Sequence, residues 1–203
     1  VEAIMLRAQA EMAKIQQAAM KPRARMTEAQ ARERVKEQMR SVIEIMKKAH
    51  AFNKWQFLVE SQVNTQIGTL LYAIREFDDA EPYLRNAFLA NSMSQSMLAV
   101  IYFRKRQYEQ MEEAFERSVS RDNKTPVLWG VYAWCLWKNK ESDKAIAVLN
   151  RASVHFAETE SIQSNLLALQ NKQKMDMTLF GEVWYQYQLA RPPQMEAVTD
   201  MKK

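Results

Sequence analysis

The side chains able to hold a metal or act as a nucleophile are few and scattered. His50 and His155 lie in different elements beside alanine or aromatic residues, and no HxxxH or paired-carboxylate spacing accompanies either. Metal or acid–base chemistry needs converging groups, so both read as structural or surface histidines. Cys135, the one cysteine, sits between Trp134 and Leu136. It excludes an internal disulfide and a multi-cysteine zinc site, fits a reducing compartment and behaves there as a small hydrophobe. Asp78-Asp79 and Glu112-Glu113 fall at the loop or first turn of helices, where acids complement the N-terminus. Gly68, Gly130 and Gly181 are too far apart to form a GxxxxGK or GxGxxG phosphate loop. The expectation is a non-enzyme with no cofactor and no metal.

The elements that position these residues are helices. With 3 glycines and 5 prolines in 203 residues, the chain lacks the turn residues of a β-sandwich or doubly wound sheet. Its 47% apolar and 26% charged composition is that of an ordinary globular chain. The longest charge-free apolar run, Val127 to Trp137, is well short of the roughly 18–20 residues of a bilayer-crossing helix and reads as a core helix. The thirteen methionines read as adaptable core filler.

The net charge of +5 is unevenly placed: twelve Lys or Arg against seven Asp or Glu up to Glu60, and seventeen of each afterwards. Residues 1–60 read as a basic helical arm. A first helix ends near Lys21-Pro22, and Thr27 caps a second whose stripe is Val35, Met39, Val42, Ile43 and Met46. Arg32, Arg34, Lys36 and Arg40 occupy its other faces. Three roles compete for the arm: packing on the fold with solvated cations, an anionic membrane flank, and nucleic-acid binding. The last is disfavoured because no stacking aromatic precedes Phe52. The N-terminal stretch carries polar residues throughout and lacks the apolar core of a signal peptide. The chain opens on Val1, and an apolar run of about 20 residues upstream would favour a membrane-linked version.

Beyond the arm the sequence repeats itself. REFDDAEPYLRNAF from Arg75, KRQYEQMEEAFERSV from Lys105 and NKESDKAIAVLNRAS from Asn139 superpose. Their matching sets are Phe77, Ala80, Leu84, Ala87; Tyr108, Met111, Phe115, Ser118; and Ser142, Ala145, Leu149, Ala152. Upstream of each lies another apolar helix, with Ile67, Gly68 and Leu71 corresponding to Leu98, Ala99 and Tyr102, and to Tyr132, Ala133 and Leu136. Each unit is a helix hairpin in which small residues meet, and successive hairpins stack because one alone cannot bury its apolar face.

This pattern resembles the tetratricopeptide repeat family over Ser61 to about Phe156, with Trp129 at the family's leading tryptophan position. The first unit is shortened to about 31 residues, Met111 replaces a small residue, and none of the units ends in the customary proline. The resemblance implies an all-α, right-handed α-solenoid of about three units, near 61–91, 92–125 and 126–158. A cap at 159–190 and a flexible tail at 191–203 follow. The cap is read as a helix at SIQSNLLALQNK and a closing helix from Met177, whose Leu179, Phe180, Val183, Trp184 and Tyr187 cover the last apolar face.

In that family the first helices of successive repeats line a concave groove. Projected onto this chain, the groove presents Thr65, Thr69, Tyr72 and Ala73; Ser96, Val100, Phe103 and Arg104; and Gly130, Trp134, Trp137 and Lys138. Trp134 and Trp137 are either core residues or, if exposed, anchors. Thr65 and Thr69 stand where chaperone-binding relatives carry a lysine and an asparagine, which argues against a carboxylate clamp. The implied function is an adaptor binding a partner protein or peptide, with the arm attaching it to a membrane-linked bacterial assembly such as secretion or exopolysaccharide export. Its expected place is the cytoplasm or the cytoplasmic face of a membrane. The alternative is a homo-oligomeric scaffold in which the arm pairs with another copy and the groove is filled internally.

Overall fold

A computed structural model describes residues 6–8, 10–15, 28–51, 57–87 and 91–192, and among these no strand occurs. In chain order the elements are α1 (6–8 and 10–15), α2 (Glu28–Ala51), α3 (Phe57–Ala73), α4 (Phe77–Arg85), α5 (Ser92–Arg104) and α6 (Tyr108–Arg121). They continue with α7 (Pro126–Lys138), α8 (Ser142–Ser153), α9 (Glu160–Gln170), a 3₁₀ turn (Met177–Phe180) and α10 (Glu182–Tyr185). Adjacent helices form stacked hairpins, the construction of a tetratricopeptide-like α-solenoid. The Lys21-Pro22 stop, the Thr27 cap and most of the 191–203 tail lie outside the described residues, as do the side chains of Arg32 and His50.

Four helix ends among the described residues close in one way, which makes the repeat visible in the backbone. Arg75, Arg106, Lys140 and Lys172 hold φ of 66°, 60°, 68° and 56°. In each turn the left-handed residue donates its N–H three residues back and its successor donates five back. Examples are Arg106 to Phe103 at 3.1 Å with Gln107 to Tyr102 at 2.9 Å, and Lys172 to Leu169 at 3.0 Å with Gln173 to Ala168 at 2.8 Å. This pair of hydrogen bonds satisfies carbonyls that a helix end leaves open. Glycine is the usual residue here, so the basic side chains accept a strain of about 1 kcal/mol each. Because α9 ends like α3, α5 and α7, it is built as another first helix.

The chain divides into two compact units, Val1–Ser94 and Gln95–Lys203. In the first, α3 and α4 form a hairpin and α2 packs on α3. The apolar stripe of α2 supplies that contact, with Val42, Ile43 and Met46 buried. Arg40 adds a polar tie, its Nε donating to Glu76 Oε1 at 2.8 Å. The packing role foreseen for the arm is therefore realised along α2. Inside the hairpin, a Cβ on Gly68 would lie 2.8 Å from Leu84, so the space it leaves is taken by a large side chain and not by the small partner foreseen. Ala80 and Ala87 are buried as expected.

In the second unit α7 and α8 form a hairpin against which α9 packs. Val127 to Ala133, Cys135 and Leu136 are all buried, which is why this helix is apolar all round. Phe115 of α6 stacks on Tyr132 of α7 at 4.9 Å. Arg151 of α8 forks onto both carboxylate oxygens of Glu116 at 2.7 and 2.8 Å, and Tyr132 donates to the same group at 3.1 Å. These contacts hold Glu116 below the usual carboxylate range, Arg151 first.

The expected closing helix does not form. Met177–Phe180 is a 3₁₀ turn, Gly181 sits at φ 67° and ψ −153°, and α10 is one turn long. That Gly181 conformation is essentially reserved for glycine and ends the helix in mid-pattern. Trp184 and Tyr187 are buried while Leu179 and Val183 are 37% and 38% exposed, so the five residues expected on one helical face separate.

Candidate functional site

The segment after α9 is a strap that folds back over the first helices of the second unit. Asn165 of α9, itself buried, fixes where it starts. Its amide donates to the Asp176 carbonyl at 3.0 Å and its Oδ1 accepts the Asp176 N–H at 2.7 Å. Asp176 then caps the 3₁₀ turn, accepting from Thr178 N–H at 2.9 Å and from its hydroxyl at 2.6 Å. Asn165, Asp176 and Thr178 thus pair with one another at the strap's root.

Four contacts follow along the strap. The Phe180 ring lies against Gly130 of α7 so closely that a Cβ there would overlap it. Trp184 meets Trp134 edge-on at 5.2 Å. The Tyr187 hydroxyl shares a 3.0 Å hydrogen bond with buried Ser96 of α5, and burial pushes that hydroxyl's pKa up. Arg104 donates to the Gln188 carbonyl at 2.6 Å. The strap therefore runs from α9 across α7 to α5, against the order of the helices it covers.

Of the foreseen groove residues, Ser96 and Gly130 are buried against the strap, and others fall into three groups. Phe103, Arg104, Trp134, Trp137 and Lys138 keep accessible surface and gather at the C-terminal ends of α5 and α7. Phe103 meets Trp134 at 5.9 Å, and Lys138 Nζ lies 5.2 Å from the Trp134 ring and 4.7 Å from that of Trp137. Tyr72 and Val100 are instead fully buried and offer no surface, Tyr72 being edge-on to Phe77 at 5.1 Å. Thr69 lines an apolar cavity of 390 Å³ among α1, α2 and α3, with Thr65, Ala8, Met12 and Met46. Its hydroxyl turns inward along its own helix, donating to the Thr65 carbonyl at 2.7 Å.

On the arm, Arg40 is ion-paired with Glu76, Arg34 has interactions of its own, and Lys36 is half-buried. Cys135 is fully buried and its thiol pKa is pushed well up by desolvation, which leaves it a packing residue. His155 is an exposed ring beside Trp129 and Phe156. Among the described residues no group of three or more His, Cys, Asp or Glu is placed to hold a metal ion.

Residues 94–125, comprising nearly all of α5, α6 and the turn after them, match the tetratricopeptide repeat family model. The chain carries a tetratricopeptide repeat. This match coincides with the second sequence unit, whose first helix begins at Ser92. No curated protein and no solved structure matches the chain. The repeat is a protein-interaction module, and among the described residues no helix is long and apolar enough to cross a membrane.

Sequence reasoning missed Asn165, Asp176, Phe180, Trp184 and Tyr187 as builders of this site. Gly181 was the available signal, since a glycine inside an aromatic helical pattern marks a place where the helix gives way.

Proposed function

We propose that the protein is a non-enzymatic adaptor that binds a segment of a partner protein on the first-helix face of α5 and α7. Phe103, Arg104, Trp134, Trp137 and Lys138 carry the contact. The observation supporting this reading is the seating of the strap: a peptide segment with aromatic side chains already fits this face. Aromatic and arginine side chains commonly dominate interface energy, and Lys138 holds the Trp134 and Trp137 rings in a defined arrangement. The arm, with its excess of Lys and Arg, would attach the adaptor at the cytoplasmic face of a membrane-linked assembly.

Peptide-display selection on the full chain tests the adaptor. Selected peptides should lose roughly thirtyfold in affinity with Trp137→Ala or Lys138→Ala, about 2 kcal/mol, while the helical signal is unchanged. Peptides insensitive to both changes, or none selected, would overturn it. The filled face also favours a second reading, a homo-oligomeric scaffold. Concentration-dependent sedimentation of the full chain separates the two.

A further inference from the structure

The strap occupies part of the surface that the adaptor reading assigns to a partner, at Trp134 and Arg104, and reaches Gly130 and Ser96 beside them in a definite pattern. An aromatic ring enters at Gly130, a tryptophan four residues later meets Trp134, and a tyrosine three residues beyond reaches Ser96. Arg104 then takes a main-chain carbonyl, which any sequence supplies. The first three contacts need particular side chains and the fourth needs only a backbone, so the face reads an aromatic–x3–Trp–x2–Tyr segment.

The strap has little regular structure of its own to hold it in place. Its regular elements are a 3₁₀ turn and a single helical turn, too short to be stable alone. They are joined at Gly181, whose conformation other residues strongly disfavour. Leu179 and Val183 face outward with more than a third of their surface exposed, so the strap is held from one side.

We propose that the strap 176–188 is an internal ligand, and that the external partner presents a segment of the same aromatic–x3–Trp–x2–Tyr chemistry which displaces it. This rests on the adaptor reading and specifies its partner. While the strap is seated, the affinity for such a segment is reduced by the fraction of molecules that are open. Loosening the strap without altering the face therefore strengthens binding in trans.

The two glycines supply the test. A Cβ on Gly181 meets nothing within 4 Å, so Gly181→Ala acts through backbone strain and leaves the face untouched. A Cβ on Gly130 fills the seat of the Phe180 ring, so Gly130→Ala blocks strap and partner alike while favouring the α7 helix. The probe is a fluorescent synthetic peptide of residues 175–190, titrated by anisotropy into the full-length protein and both variants. Gly181→Ala should bind it at least about tenfold more tightly than the parent chain. Gly130→Ala should bind it more weakly than Gly181→Ala by a similar factor, and a peptide carrying Trp184→Ala should lose capture.

Equal, weak capture by the parent chain and Gly181→Ala would overturn the proposal, provided that faster hydrogen exchange over 177–188 shows the strap released. If that released variant still binds display-selected peptides lacking the aromatic pattern, the adaptor reading survives and the internal-ligand proposal falls. If it binds neither, both fall. Dimerisation of Gly181→Ala that abolishes peptide capture would also overturn the proposal, since the occupant would then be a second copy's strap.

Discussion

In the first unit, α1, α2 and α3 line an open apolar pocket of 390 Å³, with Ala8, Ala13, Met12, Met46, Thr65 and Thr69 among its walls. In the second, the strap covers α5 and α7 and drives rings against Gly130 and Trp134. Short and slender side chains leave the first cover incompletely filled, whereas each aromatic of the second can bury about 150–250 Å² and brings a preferred geometry. Polar locks also differ. The strap is fixed by Asn165, Ser96 and Arg104, while the cavity-lining Thr69 hydroxyl is satisfied within its own helix. A cover joined by side-chain shape and paired polar groups is specific for its occupant. One joined by methionine and alanine tolerates change.

Removing the largest strap anchor should have the greatest effect. Trp184→Ala deletes a buried aromatic, a change that costs about 3–5 kcal/mol where the site stays closed. Undocking of the strap limits that loss, so calorimetry should show a lower transition and hydrogen exchange should rise selectively over 177–188. Unchanged exchange there would make both covers equally permissive.

Overpacking the first hairpin comes next. Ala80 has no exposed surface, and Ala80→Leu should cost roughly 1–3 kcal/mol in a denaturant melt. No loss would show that the whole first unit is loosely packed. The cavity predicts the opposite sign a short distance away. Thr69→Leu extends into open apolar space and abandons only a bond within its own helix, so it should gain about 1 kcal/mol. A loss at Thr69 would mean that the cover on α3 is as exacting as the strap.

The smallest effect is electrostatic. Glu116 is held below the usual carboxylate range by Arg151, so its contribution is present above the ordinary glutamate pKa of about 4.3 and disappears as pH falls through the lower folded value. The pair is half exposed, which limits it to about 0.2–1 kcal/mol. Glu116→Gln should flatten the acid limb of a stability–pH profile by that amount. An unaltered limb would remove Glu116 from the account.

Helical periodicity and repeated small residues determine much of this protein without its coordinates. The buried positions Ala80, Leu84, Ala145 and Leu149 and the packing stripe of α2 follow from spacing, because one helix face must be apolar to be buried. The starts of α5 at Ser92 and α7 at Pro126 agree with the unit bounds that the family resemblance implied. The family resemblance put Phe103, Trp134, Trp137 and Lys138 on first helices and left the two tryptophans as core or anchor; in the structure all four keep accessible surface. The tertiary structure alone decided that a strap lies at the edge of this cluster, on Trp134, Gly130 and Ser96. Local pattern gives Phe180, Trp184 and Tyr187 the spacing of a helix, and nothing in it records that Gly130, Trp134 and Ser96, some 50 to 90 residues earlier, offer them better seats. Burial of those rings against distant partners outweighs the helical preference of a short segment, and Gly181 supplies the backbone freedom that lets it do so.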